Sequence, residues 1–333
     1  MQRWKITLIL ILVFALAPLS LPVRAQDGAT ITTISVPDVL PGGGTRLRLS
    51  PDGRYLAVWT EPAIVGDVPS PLYMPIHLYD LSDPAAPKEM LLVAGHTDHT
   101  MGVAFSPDSA QLVTYQRNSQ FFVWETASGA FQKQFFPGVL GSAVFDFLPD
   151  GGSIAWLLPG PMQQTALLNP EDGSYERILA RRLATFAELT TQGERSIPAS
   201  LVALAVAPDG KHVATATMYG DILVWDVETG EMLPLLISPD TVPGLEVRTL
   251  AYSDDGATLY FSNNRDEMLF ALDVASGADS EIGAAPLGLF AVLPGTGKLV
   301  MVGADGASLS IVDPADPMGG QEVALPITGD ITA

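Results

Sequence analysis

The stretch that decides the fold is GHTDHTMGVAFSPDSAQLVTYQRNSQFFVWETASG, residues 95–129. It contains three short runs rich in apolar, β-branched and aromatic residues, and a Ser-Pro-Asp-Ser segment at 106–109 separates the first two. Proline fixes φ near about −65° at the first corner of such a turn, and the Asp side chain can bond nearby backbone N–H groups. The third run ends at Glu125 and is followed by Ser128 and Gly129, which suit a second reversal. The stretch therefore predicts short antiparallel strands joined by tight turns.

The first turn motif occurs six times along the chain. Most copies place Pro, Asp and Gly where a tight hairpin needs a fixed φ, a side-chain acceptor and a positive φ. The copies are Ser50–Gly53, Ser106–Ser109, Leu148–Gly151, Ala207–Gly210, Ser253–Gly256 and Leu293–Thr296. Structural turn roles are assigned to Asp52, Gly53, Asp108, Asp150, Gly151, Asp209, Gly210, Asp255 and Gly256. The copies start between 40 and 59 residues apart, a spacing typical of repeat proteins.

A second motif alternates with the first along the whole chain. An acidic or amide residue ends an apolar run, and three residues later Asp, Ser or Thr precedes Gly or Pro. Its six copies begin at Asp80, Glu125, Asn169, Asp226, Asp273 and Asp313. Six units, each with three or four short strands and no room for a crossover helix, predict an all-β fold. We expect a six-bladed β-propeller as a single domain over residues 45–333, with seven blades as the alternative.

Single units resemble known propeller repeats. Gly95-His96, the run to Asp108 and then Val123-Trp124-Glu125 resemble a WD40 repeat in which Glu125 replaces the terminal Asp. Residues 209–230, which contain Trp225-Asp226, resemble another WD40 repeat, and residues 260–273 are similar to the YVTN-type repeats of bacterial surface propellers. The resemblance covers nearly all of residues 45–326. It implies a divergent six-bladed propeller of WD40 or YVTN type.

The WD40 resemblance also implies a buried hydrogen-bond network of His, Ser or Thr, Asp and Trp that braces a blade. Only the second unit comes near this set, with His96, Thr114 and Trp124, and with Asn118 where Asp is usual. The other units are expected to rely on apolar packing. His96 and His99 also offer metal-ligand chemistry, but zinc needs a third strong ligand, and the chain has only 4 His and 0 Cys. We therefore favour the structural role for these histidines and predict no metal site and no cofactor, with calcium in the central channel as the alternative.

Residues 1–25 have the pattern of a secretory signal. Arg3 and Lys5 precede an apolar run at 6–17, and Val23-Arg24-Ala25 supplies small or apolar residues at the −3 and −1 positions of a cleavage site. We expect cleavage after Ala25, a secreted or otherwise extracytoplasmic protein, and no membrane span after cleavage. An uncleaved N-terminal anchor is the alternative. The lack of cysteine excludes a lipid anchor, disulfides and thiol chemistry.

Residues 26–44 are assigned to a lead-in that helps to close the ring. A propeller has open sheet edges unless one end of the chain completes the blade begun by the other end, and open edges favour aggregation. Ile31–Val36 and residues 321–326 both have the composition of strands. We expect both to lie in or beside the last blade.

Charge and composition exclude several functions. The chain has 17 Lys+Arg against 37 Asp+Glu, a net charge of −20, whereas a nucleic-acid binder needs a basic face to neutralise phosphates. The G-x-S-x-G nucleophile motif, a phosphate-binding Gly-rich loop with Lys, and cysteine nucleophiles are all absent from the sequence. We therefore predict a protein that is not an enzyme and does not bind nucleic acid.

The loops indicate which face of the propeller binds. The turns between strands A and B and between strands C and D lie on one face, whereas the B–C and D–A loops lie on the other. Length variation falls on the second face, in residues 60–75 and 179–200. Residues 176–195 hold four Arg against three Glu and a roughly helical apolar face, which suits either a partner-docking helix or a segment packed on its own blade. The binding candidates are Tyr73, Arg181, Arg182, Phe186 and Arg195.

The expected function is that of a monomeric, secreted scaffold that binds a protein or a cell-surface ligand through its loop-rich face. The alternative is a propeller enzyme that acts on a glycan or a lactone in the central channel. That alternative requires several polar or charged side chains to converge at one mouth of the channel.

Overall fold

Short apolar runs bounded by turn residues form strands throughout the part of the chain that the structure describes. In this computed structural model that part comprises residues 6–11, 31–36, 44–61, 76–83, 86–92, 96, 98–158, 164–180, 201–217, 220–233, 247–263, 267–285, 288–302 and 308–324. Within these ranges no helical segment has both the length and the hydropathy that a membrane span requires.

Six antiparallel sheets follow one another along the chain, each with its strands in sequence order. Blade 1 comprises β3 (Gly44–Leu49), β4 (Tyr55–Glu61), β5 (Ile76–Asp80) and β6 (Lys88–Leu92). Blade 2 comprises β7 (Thr100–Phe105), β8 (Gln111–Gln116), β9 (Phe121–Glu125) and β10 (Ala130–Phe135). Blade 3 comprises β11 (Phe145–Phe147), β12 (Ile154–Leu157), β13 (Gln164–Leu168) and β14 (Tyr175–Ala180).

The second half of the chain repeats this pattern. Blade 4 comprises β15 (Leu201–Val206), β16 (His212–Thr217) and β17 (Ile222–Asp226), and a bridge from Trp225 to Met232 lies beyond them. Blade 5 comprises β18 (Val247–Tyr252), β19 (Thr258–Asn263), β20 (Met268–Asp273) and β21 (Asp279–Ala284). Blade 6 comprises β22 (Phe290–Leu293), β23 (Lys298–Val302), β24 (Ser308–Asp313) and β25 (Asp316–Ala324). The predicted all-β, six-bladed propeller is confirmed.

The first strand of each blade, strand A, lies toward the centre of the ring. The A strands of consecutive blades contact one another, from β3 and β7 through to β18 and β22. The middle strands β8, β9, β16 and β17 are almost wholly buried, whereas the fourth strands β10, β14 and β21 are mostly exposed. Each blade therefore runs from a central strand A to a solvent-facing strand D.

The apolar core lies between neighbouring blades. Trp59, Leu78, Phe105 and Trp124 belong to one cluster that joins blades 1 and 2. Equivalent clusters join blades 2 and 3, 3 and 4, 4 and 5, and 5 and 6. Burying a large apolar side chain stabilises a fold by roughly 1.5–3 kcal/mol, so each blade is held mainly by the blades beside it.

The two N-terminal strands pair with each other. β2 (Ile31–Val36) pairs antiparallel with β1 (Ile6–Ile11), from Ile6 opposite Val36 to Ile11 opposite Ile31. The outer edge of β24 is occupied by β25, which belongs to the same unit and includes the predicted C-terminal strand up to Ala324. Blade 6 thus takes all four of its strands from its own repeat, and that Ile31–Val36 lies beside this blade stays a prediction.

Candidate interaction surface

The A–B and C–D turns lie on one side of the ring, which we name the turn face, and the B–C and D–A connections lie on the loop face. All six copies of the first motif form A–B turns in which the fourth residue donates its N–H to the carbonyl of the first, at 2.8–3.2 Å. Gly53, Gly151, Gly210 and Gly256 have φ between 69° and 73° at that fourth position, a region that glycine adopts without steric cost. In blade 2 Ser109 has φ 60°.

The turn aspartates are used inside their own turns. Ser106 Oγ donates to Asp108 Oδ1 at 2.6 Å and the Ala110 N–H donates to the same oxygen at 3.0 Å, and the Ser106 bond is the largest cause of the lowered pKa of Asp108. Asp52 and Asp255 accept equivalent serine bonds at 2.6 Å. Asp150 and Asp209 accept backbone N–H bonds at 2.9 and 2.8 Å. The predicted turn residues thus satisfy the backbone of the turn face.

The A–B turns of neighbouring blades also contact one another. The Asp52 N–H donates to Ser109 Oγ at 3.1 Å, and the Gly295 N–H donates to Asp254 Oδ2 at 2.7 Å. A cavity of about 500 Å³ lies between the turns of blades 2 and 3, and its carboxylates are those of Asp108 and Asp150. Both carboxylates already accept hydrogen bonds within their own turns. The cavity therefore offers no carboxylate that is free of such a bond.

Blade 2 contains most of the implied bracing network. Trp124 Nε1 donates to Thr114 Oγ1 at 3.2 Å, and the same hydroxyl shares a hydrogen bond of 2.9 Å with His96 Nε2. The imidazole also lies 5.0 Å from the Trp124 ring, centroid to centroid. Burial lowers the pKa of His96 to about 4, so the ring is neutral near pH 7. Asn118 lies in the B–C turn, where its Oδ1 accepts the Gln120 N–H at 3.2 Å.

Blade 4 contains a shorter version of this network that sequence inspection did not assign. Trp225 Nε1 donates to Thr215 Oγ1 at 2.9 Å, and both side chains are fully buried. The signal was present in the sequence, since a Thr ten residues before a Trp-Asp or Trp-Glu pair occurs in both units. The Thr–Trp bond therefore occurs in both units that resemble WD40 repeats.

An ion pair joins two of the A strands that line the central channel. Arg48 on β3 binds Asp146 on β11, so strand A of blade 1 contacts strand A of blade 3. Both residues stand two positions before the first turn residue, where the other four blades have Ala104, Ala205, Ala251 and Ala291. The attraction of Asp146 raises the pKa of Arg48. Among the described residues, no group of three or more His, Cys, Asp or Glu is arranged to hold a metal ion.

The predicted binding residues cannot be placed beside these features. Tyr73, Arg181, Arg182, Phe186 and Arg195 all lie outside the described residues. The described loop face instead shows a feature that sequence inspection missed. Residues 136–140, which we name the apolar loop, connect strand D of blade 2 to strand A of blade 3. Phe136, Val139 and Leu140 are 54%, 44% and 67% exposed.

The apolar loop is anchored by side chains from two blades. Tyr115 OH donates to the Gly141 carbonyl at 2.8 Å and shares a 2.8 Å bond with Ser119 Oγ. Trp156 Nε1 donates to the Ser142 carbonyl at 2.8 Å. Gly141 lies against the Trp156 ring so closely that a Cβ would overlap the ring. The uncharged run FPGVLGSAV at 136–144 was visible in the sequence, but its exposure depends on these distant partners.

Comparison with known proteins is informative only at the level of the fold. No protein-family model matches the chain, and no curated protein matches it. Among solved structures, the chain is similar to the β-propeller domain of Cps50 (Swd1) from Myceliophteria thermophila, with a TM-score of 0.60 and 14% sequence identity over 87% of this chain and 88% of that chain. This likeness shows the fold alone, a β-propeller. Propellers of this fold serve many functions, so the function must be argued from the surface.

Proposed function

We propose that this protein is a secreted, non-enzymatic scaffold that binds a protein or a cell-surface ligand through its loop face. The observation that carries the proposal is the difference between the two faces. The turn face contains six tight A–B turns, and in five of them an aspartate accepts a backbone N–H bond from its own turn. The loop face carries the connections whose lengths vary most, and it exposes the apolar loop. Variable loops on a rigid repeat scaffold are where recognition is usually found.

The side chains of the central channel give less support to the alternative, a propeller enzyme. A catalytic site would need several polar groups that remain available to a substrate. The described A strands bring Arg48 and Asp146 together, but these two side chains neutralise each other. The likeness to the β-propeller domain of Cps50 (Swd1) is compatible with a binding scaffold. The scaffold is therefore the function that we propose.

The proposal is tested by partner capture with two variants of the protein, each altered on one face only. In the first variant a Gly-Ser linker replaces residues 181–198, which follow β14 in the longest loop-face insertion. In the matched control, Asp209→Asn changes the turn face without changing the length of the chain. Partners captured by the unaltered protein should be lost from the linker variant and kept by the control. Equal retention by both variants would contradict a loop-face site in this insertion.

Export is tested separately on the full-length chain produced in its own host. Intact-mass measurement and N-terminal sequencing of the extracytoplasmic protein should give a chain that begins at Gln26. A chain that still begins at Met1 and remains with the membrane fraction would support the uncleaved anchor instead.

A further inference from the structure

The apolar loop exposes three large apolar side chains although the loop is held in place at both ends. Before it, Phe135 is buried and stacks on Phe121 with ring centroids 5.1 Å apart. After it, Gly141 is fixed by the hydroxyls of Tyr115 and Ser119. We propose that the apolar loop is a preformed docking site for a protein partner whose apolar anchor residues are flanked by Lys or Arg. This inference rests on the proposed function, because it names the site and the class of partner.

Because the backbone of the apolar loop is fixed, we attribute the exposure of its apolar side chains to binding. The loop spans only five residues between its anchors, Pro137 restricts one φ, and Gly138 makes the turn with φ 88°. Contiguous apolar side chains exposed on a folded surface mark interaction sites. A loop that is ordered before binding loses little conformational freedom when a partner covers it.

The charges around the apolar loop indicate the sign of the charge that a partner should carry. Residues 134–145 contain no charged side chain.

 The loop and its anchors are thus uncharged, and Asp146 is the first charge that follows them. In the described B–C and D–A connections the charged side chains are Asp98, Asp221, Glu267 and Arg117, and Arg117 binds Asp98 at 3.2 Å. The whole chain carries −20, so the field around the loop attracts a basic partner and repels a second copy of this chain.

The experiment uses the full chain and short synthetic peptides as probes. Each peptide carries one central Leu-x-x-Phe pair, flanked by Lys in the first set, by Glu in the second and by Ser in the third, and binding is followed by fluorescence anisotropy. The test variant is Leu140→Ser. The matched control is Phe131→Ser, because Phe131 is 42% exposed on strand D of the same blade but outside the loop.

We expect the Lys-flanked peptides to bind most tightly, with an affinity that falls as salt is added. Leu140→Ser should weaken this binding at least about tenfold, as expected for a central apolar anchor, whereas Phe131→Ser should change it less than about twofold. Leu140 is 67% exposed, so thermal unfolding of Leu140→Ser should match the unaltered protein. Phe131→Ser loses an edge contact with the Trp124 ring, so it should unfold at a lower temperature and still bind. Gly141→Ala keeps all three apolar side chains but displaces the loop, and it should also weaken binding when circular dichroism shows a folded protein.

Three outcomes would overturn the inference. The first is equal binding of the Lys- and Glu-flanked peptides, and the second is equal loss in Leu140→Ser and Phe131→Ser. The third is concentration-dependent self-association that Leu140→Ser abolishes, which would make the loop an interface between copies of this chain. If captured partners are lost from the 181–198 linker variant but kept by Leu140→Ser, the proposed function stands and only this inference fails.

Discussion

Blades 2 and 4 each bury a tryptophan of strand C beside a threonine of strand B, but only blade 2 adds a histidine. Thr114 Oγ1 bonds both Trp124 and His96, whereas Thr215 Oγ1 accepts a bond from Trp225. Trp225 is nevertheless as deeply buried as Trp124 and lies in the cluster that joins blades 3 and 4. The difference teaches that apolar contact with the neighbouring blade is enough to place the tryptophan, and that the histidine adds polar bonds to a blade that apolar packing already forms.

Removal of the threonine hydroxyl should give the largest difference in stability between variants of the two blades. Thr114→Val leaves the buried nitrogens of Trp124 and His96 without this partner, whereas Thr215→Val affects only the nitrogen of Trp225. An unsatisfied buried polar group costs about 1–3 kcal/mol, so we expect losses of about 4 kcal/mol for Thr114→Val and about 2 kcal/mol for Thr215→Val. Urea unfolding monitored by tryptophan fluorescence measures both free energies of unfolding.

The control for this comparison is the conservative pair Thr114→Ser and Thr215→Ser, which keeps the hydroxyl in each blade. Both variants should lose only the small contribution of one methyl group, about 1 kcal/mol. Equal losses in the two valine variants would mean that the His96 bond contributes nothing beyond the bond from tryptophan.

The histidine should also make blade 2 sensitive to acid. The folded-state pKa of His96 is about 4, below the ordinary value of 6.5, so between these values the unfolded chain binds a proton that the folded chain does not. The stabilising effect of the neutral ring is complete above pH 6.5, falls as the pH drops toward 4, and does not fall further below that. The full change is on the order of 3 kcal/mol.

This second prediction is checked by urea unfolding at several pH values between 4 and 7. His96→Gln should flatten the dependence, although a part remains because burial and Arg117 also lower the pKa of His99. Thr215→Val in blade 4 should leave the slope unchanged. A slope that is the same with and without His96 would contradict the assigned burial of the ring.

The turns and the blades were predictable from the sequence because their chemistry is local. Pro51, Asp52 and Gly53 act within one turn, so spacing alone located all six A–B turns. The pairing of Ile31–Val36 with β1 was not predictable, since the composition of this strand is compatible with several partner edges. The exposure of Leu140 was not predictable either, because it depends on Tyr115 from blade 2 and Trp156 from blade 3.

The smallest expected effect lies in the A–B turns of the same two blades. Gly210 in blade 4 has φ 69°, and a Cβ there would meet Pro149 at an ordinary distance of 3.5 Å. Gly210→Ala therefore adds only backbone strain, about 1 kcal/mol. Ser109 in blade 2 already bears that strain at φ 60°, and its hydroxyl accepts the Asp52 N–H.

Ser109→Gly relieves the strain but removes the hydrogen bond, and the two effects are of similar size, about 1 kcal/mol each. We expect the free energy of unfolding to fall by about 1 kcal/mol in Gly210→Ala and to change by less than about 0.5 kcal/mol in Ser109→Gly. Ser109→Ala keeps the strain and loses the bond, so it should be the less stable of the two Ser109 variants. If Ser109→Gly is instead as destabilising as Gly210→Ala, the bond between the turns of blades 1 and 2 outweighs the strain, and blade 2 depends on its neighbour through the turn face as well as through the core.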